Sequence, residues 1–165
     1  NSVDIGGLNP PTLLVITALM FIGAGPASTG GGIKVTTFAM LGYVLWSEIR
    51  GDNEVNLFRR RIPSPVILQA IALVLLAIGT VMVTTLAILA VADVEIGPTL
   101  FEATSAFATV GLSTGMTPTL PTLGQLMLVV VMLIGRVGPV TFATALALRA
   151  RPRLFHYPEE RPIIG

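Results

Sequence analysis

Apolar positions gather into three long stretches, Thr12–Ser47, Val66–Val91 and Leu123–Ala150. Each exceeds the roughly 20 residues that a helix needs to cross a hydrocarbon core about 30 Å thick. The second stretch is unbroken and rich in Leu, Ile, Val and Ala, and predicts one plain membrane helix. The first and third carry Gly and Pro in their interiors, which predicts broken helices. Between the second and third, Pro98–Thr109 places Leu100, Phe101, Ala103, Thr104 and Phe107 on one face at helical spacing. Its proline suits a first helical turn, where the missing N–H is not needed. About 12 helical residues rise only some 18 Å, so this segment is predicted to dip into the membrane and return.

Composition turns that pattern into a membrane assignment. Hydrophobic residues make up 53% of the chain and charged residues 12%, with a mean hydropathy of +0.83. Such a chain has too little polar surface to cover a core in water. The net charge of +1 offers no footprint for nucleic acid, and the absence of cysteine excludes disulfides and thiolate metal sites. Starting at Asn1 with no basic region ahead of the first apolar run, the sequence is expected to be part of a longer chain. Basic residues orient it, because they concentrate in short cytoplasmic loops. Arg50, Arg59, Arg60 and Arg61 separate the first two stretches, and Arg149, Arg151, Arg153 and Arg161 follow the third. The connection holding Asp93, Glu95 and Glu102 has none, and is predicted to lie outside.

An internal repeat organises the chain. Met20-Phe21-Ile22-Gly23-Ala24-Gly25-Pro26 is echoed by Met132-Leu133-Ile134-Gly135-Arg136-Val137-Gly138-Pro139, an offset of 112 residues with one extra residue in the second copy. Val35-Thr36-Thr37-Phe38-Ala39 then matches Val140-Thr141-Phe142-Ala143. Only the first copy inserts Ala27-Ser28-Thr29-Gly30-Gly31-Gly32-Ile33-Lys34 at that junction. By the same offset Asn1 falls opposite Ser113, so the chain is expected to hold the end of one span–loop–span unit and the whole of the next.

After the short helix comes Thr109-Val110-Gly111-Leu112-Ser113, which resembles the TVGYG loop whose carbonyls replace the hydration shell of K⁺. Carbonyls can share one axis only if some residue adopts a conformation that a Cβ disfavours, and the C-terminal dipole end of the helix favours a cation there. An ordinary glycine turn is the alternative. Gly111-Leu112-Ser113-Thr114-Gly115 also fits the G-x-S-x-G pattern of hydrolases, but no strand precedes it, and the lone His156 lies past the last stretch, on the opposite side. Nor does Gly30-Gly31-Gly32-Ile33-Lys34 make a phosphate loop, having no G-x-x-x-x-G-K-[ST] match.

Three consecutive glycines break the first span, and unwound backbone at membrane depth is tolerated only beside protein or a water-filled cavity. The insertion is therefore expected to line the conduction path as a gate, the alternative being a kink between neighbouring helices. Lys34 costs roughly 2.5–3.5 kcal/mol deep in a span unless it meets water or a partner. Arg136, 13 residues into the third stretch, poses the same problem; its expected partners are carbonyls or hydroxyls of the Ser28–Gly32 loop. Snorkelling to the inner surface is the alternative for both.

These residues together resemble the Trk/Ktr/HKT potassium transporter superfamily, on the side of its KtrB/TrkH membrane subunits. The resemblance rests on Ser28–Phe38, Ser105–Gly115, Gly135–Pro139 and the tail Tyr157–Arg161, in matching order and spacing. It implies four helix–pore–helix repeats around one pore, a gating loop in the third repeat, an arginine of the fourth beside it, a homodimer and a cytoplasmic nucleotide-binding ring of the KtrA/TrkA kind. Carried over, Gly111 is the fourth filter glycine, Ser28, Thr29, Gly30, Gly31, Gly32 and Lys34 form the gate, and Arg136 contacts it. Ala27 stands where relatives are expected to carry glycine, and the Tyr157–Gly165 tail is expected at a subunit interface.

The sequence thus predicts an all-α polytopic protein of the cell membrane, with no enzymatic site and no bound cofactor. Residues 1–48 end a third repeat, with the gating loop at 27–34, and 49–65 form a cytoplasmic loop. Residues 66–150 form the fourth repeat: outer helix 66–93, pore helix 98–109, filter 109–113, inner helix 123–150. Residues 151–165 are a cytoplasmic tail. The expected function is K⁺ uptake, with K⁺ held at Thr109, Val110 and Gly111. Alternatives are a Na⁺-selective member of the superfamily, a non-conducting scaffold recruiting a soluble partner through Arg59–Arg61 and the tail, and an alternating-access carrier.

Overall fold

The computed structural model describes residues 4–25, 28, 30–51, 56–57 and 60–147, of which 56–57, 60–61 and 138–147 are described as backbone alone. The fold is all-α apart from a two-residue antiparallel pair, Asn56–Leu57 with Arg60–Arg61. Among the described residues five α-helices run in order: α1 Pro10–Phe21, α2 Val35–Arg50, α3 Ser64–Val91, α4 Ile96–Ala108 and α5 Thr122–Ala147, with a 3₁₀ turn at Thr117–Thr119. The first apolar stretch is thus two helices with the glycine insertion between them, whereas the third, expected to be broken as well, is one helix that runs on through Gly138 and Pro139. The α2 helix stops at Gly51, whose φ of 74° closes it with a hydrogen bond to the Glu48 carbonyl, while Arg50 lies 5.0 Å from the Trp46 ring centre.

Among the described residues α3 is the helix long and apolar enough to cross a membrane, at 28 residues or about 42 Å. One stripe of it (Ala70, Ala77, Val81, Thr84, Thr85, Ile88) is buried, and its small residues let neighbouring helices approach closely. The opposite face leaves Leu68, Leu75, Val83 and Leu86 at least 60% exposed. A helix that is apolar all round while presenting leucines outward fits lipid rather than water.

The α4 helix, 13 residues or about 20 Å long, is the centre of the assembly, packed against α1, α3 and α5. Every residue from Phe101 to Ala108 is buried. Phe107 stacks on Phe21 with ring centres 6.4 Å apart, joining the ends of α4 and α1. On the α5 side the contact is backbone against backbone: a Cβ on Gly135 would overlap the Phe107 carbonyl oxygen.

That overlap predicts Gly135→Ala to lower stability by about 1–3 kcal/mol through overpacking. Gly42→Ala, where nothing lies within 4 Å of a Cβ, serves as the comparison. Thermal unfolding in detergent reads the difference, and equal melting of the two variants contradicts it.

Candidate functional site

The end of α4 and the chain leaving it form the site. Thr109 takes φ 53° and ψ 37°, the left-handed region, which costs an L-residue about 1–2 kcal/mol and is an outlier for a β-branched one. Its N–H donates to the Ala106 carbonyl (3.1 Å), and the Val110 N–H donates to that of Ser105 (3.0 Å). This is the Schellman pattern, with threonine where glycine is usual. Among the described residues φ is positive at Thr109 and at Gly111 (84°) but not at Val110 or Leu112, so its sign alternates along the loop. No hydrogen bond from a described residue ends on the carbonyls of Thr109, Val110 or Gly111. The Leu112 carbonyl, in contrast, accepts from the Ser105 hydroxyl at 2.5 Å, which turns it back toward α4.

Glu102 holds the far end of this loop, a role its position in the sequence did not suggest. Only 5% exposed, it accepts at Oε1 from the Ser113 hydroxyl (2.6 Å), the Thr114 N–H (2.8 Å) and the Thr114 hydroxyl (3.1 Å), and at Oε2 from the Thr117 hydroxyl (2.9 Å). The only signal available beforehand was an acid inside an otherwise apolar short helix. Residues 4–8 lie alongside: a Cβ on Gly6 would stand 2.8 Å from the Thr114 carbonyl oxygen, and Ile5 shares an apolar cluster with Phe101 and Leu112.

The glycine insertion leaves α1 and returns beside it. Gly23 N–H donates to the Ile33 carbonyl (2.7 Å) and Ile33 N–H to that of Phe21 (3.3 Å), forming an isolated bridge between Ile22 and Ile33. The excursion reaches the end of α4, where the Gly31 N–H donates to the Thr109 hydroxyl oxygen at 2.8 Å. A side chain there has no room: a Cβ on Gly31 would meet the Phe107 carbonyl, the Gly135 carbonyl and Thr109 Oγ1 at 2.9–3.0 Å.

The two cations expected within spans, Lys34 and Arg136, part ways. Lys34 Nζ donates to the carbonyls of Gly30 (2.8 Å) and Ser28 (3.2 Å), so lysine is the cation seated on the loop carbonyls. Arg136 is exposed, and no hydrogen bond or ion pair joins it to another described residue; its neighbour Gly135 supplies the contact with α4. Thr29, Ala27, His156 and the 151–165 tail lie outside the described residues. So does Arg59, while Arg60 and Arg61 are described as backbone only.

The site is thus a short buried helix with a left-handed exit, loop carbonyls that accept no hydrogen bond from a described residue, and a glycine excursion held against that exit. The chain belongs to the TrkH family, described as cation transport proteins, whose pattern matches residues 1–157. It is 40% identical to the Ktr system potassium uptake protein B of Vibrio alginolyticus over its whole length, covering 36% of that protein. With the Ktr system potassium uptake protein D of Bacillus subtilis identity is 39% over 99% of the chain and 36% of the relative. The potassium/sodium uptake protein NtpJ of Enterococcus hirae is 32% identical over 99% of the chain and 38% of that protein. The chain thus spans a little over a third of the length of these relatives.

The Lys34 contacts generate a test that needs no flux measurement. Because the chain has no native cysteine, Ser28→Cys gives a single thiol on the excursion. Adding Lys34→Met, which removes the ammonium holding the Ser28 and Gly30 carbonyls, should speed maleimide labelling at position 28 several-fold. An unchanged labelling rate contradicts the assigned role of Lys34.

Proposed function

We propose that the chain forms part of the K⁺-translocating subunit of a Trk/Ktr-type uptake system: a multi-pass cell-membrane protein in which Thr109-Val110-Gly111 supply one segment of a carbonyl-lined filter and Ser28–Lys34 form a gate beneath it. The observation that carries the reading is the Gly31–Thr109 hydrogen bond, which brings the glycine insertion against the residue that opens the carbonyl loop. Three neighbouring carbonyls left without a donor among the described residues, together with alternating φ at 109–112, are what ion coordination by backbone needs. In this reading α4 is the pore helix, α3 and α5 the outer and inner helices of a fourth repeat, and residues 4–8 follow the filter segment of a third.

Partners in this proposal are a second copy of the membrane subunit, a nucleotide-binding cytoplasmic ring and the lipid bilayer, in keeping with relatives named as components of a Ktr system. Lys34 and Arg136 belong to the gate. Lys34 keeps the excursion folded in the closed form, and Arg136 places a positive charge on α5 one residue beyond Gly135. A second reading, transport of Na⁺ alongside K⁺ through the same site, is favoured by the naming of a relative as a potassium/sodium uptake protein.

Two outcomes check the proposal in the intact transporter. Gly111→Ser puts a side chain at φ 84° and should reduce K⁺ over Na⁺ discrimination by about tenfold, the equivalent of roughly 1.4 kcal/mol, in ion-competition uptake; unchanged preference refutes the filter assignment. Deleting Gly30–Gly32 should raise K⁺ flux into proteoliposomes and make it independent of the regulatory partner. Normal, still-regulated flux refutes the gate.

A further inference from the structure

We infer that Glu102 is the positioning residue that sets the ion preference of the proposed filter, acting from behind it through the 113–117 segment; the inference rests on the filter reading above. A buried acid inside a membrane is costly unless its partners are specific. Here the partners all lie on one piece of chain. Four donors reach the carboxylate, three crowded on Oε1 and one on Oε2, so both carboxylate oxygens are engaged. All four come from Ser113, Thr114 and Thr117, the residues through which the loop leaves the filter.

The other constraints complete the frame. At its start the loop is fixed by the Schellman bonds and by Gly31 on Thr109. Midway, Ser105 holds the Leu112 carbonyl, and at the exit Glu102 fixes Ser113, Thr114 and Thr117. Within this chain residues 110 and 111 are exposed and nothing lies within 4 Å of a Cβ at Gly111, so among the described residues it is the backbone at either end that fixes the carbonyls. Their separation is therefore set by the two anchored ends. Ions of different radius are distinguished by how far such carbonyls can relax, and loosening the exit anchor lets them close on a smaller ion.

Glu102 also stands apart from the polar residues that merely satisfy themselves. Thr99 and Thr104 each donate to the carbonyl four residues earlier in the chain, whereas the hydrogen bonds to the Glu102 carboxylate all come from a segment 11 to 15 residues away.

The test is K⁺ and Na⁺ uptake by the intact transporter carrying Glu102→Gln, Glu102→Asp or Thr117→Val. Glutamine keeps the size but turns one acceptor into a donor facing the hydroxyls. Glu102→Gln should raise the K⁺ concentration for half-maximal uptake relative to that for Na⁺ by about tenfold, the effect of one lost charge-assisted hydrogen bond, with a smaller effect on maximal rate. Glu102→Asp, which restores an acceptor pair, should recover part of the preference, and Thr117→Val should shift it in the same direction as glutamine by less. If Glu102→Gln does not reach the membrane folded, Thr117→Val carries the test alone, through the ratio of KCl to NaCl protection in thermal unfolding. A folded variant with unchanged ion ratio overturns the inference. Gly111→Ser runs in parallel: if it shifts preference while Glu102→Gln and Thr117→Val do not, only the role of Glu102 fails, and if none shifts it, the filter reading fails with it.

Discussion

A threonine held in the left-handed region is the constraint around which this structure is arranged. Thr109 ends α4, begins the carbonyl loop and accepts the N–H of Gly31 with its side chain. Its backbone strain, about 1–2 kcal/mol, is offset by two Schellman hydrogen bonds and by the bond from Gly31. Gly31 and Gly135 both press on this helix end, where a Cβ on either would come within 3.0 Å of the Phe107 carbonyl oxygen. The two glycines are there because a helix end can be approached this closely only by backbone without a Cβ.

The burial of α4 explains the chemistry chosen along it. In surroundings that offer no water, each polar group must find its partner within the protein. Among the described residues no buried side-chain nitrogen or oxygen lacks one. Thr99 and Thr104 turn back on the preceding turn, while Ser105 and Glu102 reach forward to the loop. The polar residues of α4 are thus divided between closing the helix on itself and fixing the segment it delivers.

Much of this was legible in the sequence where local physics decides. Unbroken hydropathy located α3 to within two residues, since length and apolarity suffice for such a helix. Helical spacing found α4, which starts two residues earlier than Pro98 and ends one before Thr109. Three glycines located the break in the first stretch. The features that escaped depend on residues distant in sequence: Gly31 and Thr109 are 78 positions apart, and nothing local assigns one to the other. Other contacts are local but are not ranked by hydropathy or spacing: lysine rather than arginine was found on the Ser28 and Gly30 carbonyls, Gly135 rather than Arg136 touches α4, and the Leu112 carbonyl is drawn to Ser105. Glu102 was read only as one acid of an outer connection, because hydropathy counts its charge and not its four donors. The repeat offset pointed to Gly23 and Gly135 as equivalent without revealing that both permit close backbone approach: a Cβ on Gly23 would overlap the Gly31 carbonyl.

The bridge between Ile22 and Ile33 closes the glycine excursion at its base, with the Gly23 N–H on the Ile33 carbonyl at 2.7 Å. A stem fastened in this way insulates the helices on either side from whatever happens in the residues between. Of the described residues between the two stems, Gly31 is the fixed one, since a side chain there meets the end of α4 and Gly135; change elsewhere in the excursion leaves α1 and α2 fastened at the bridge. In the proposed gate, a change within the excursion is thereby felt at the end of α4 before it is felt by the two flanking helices.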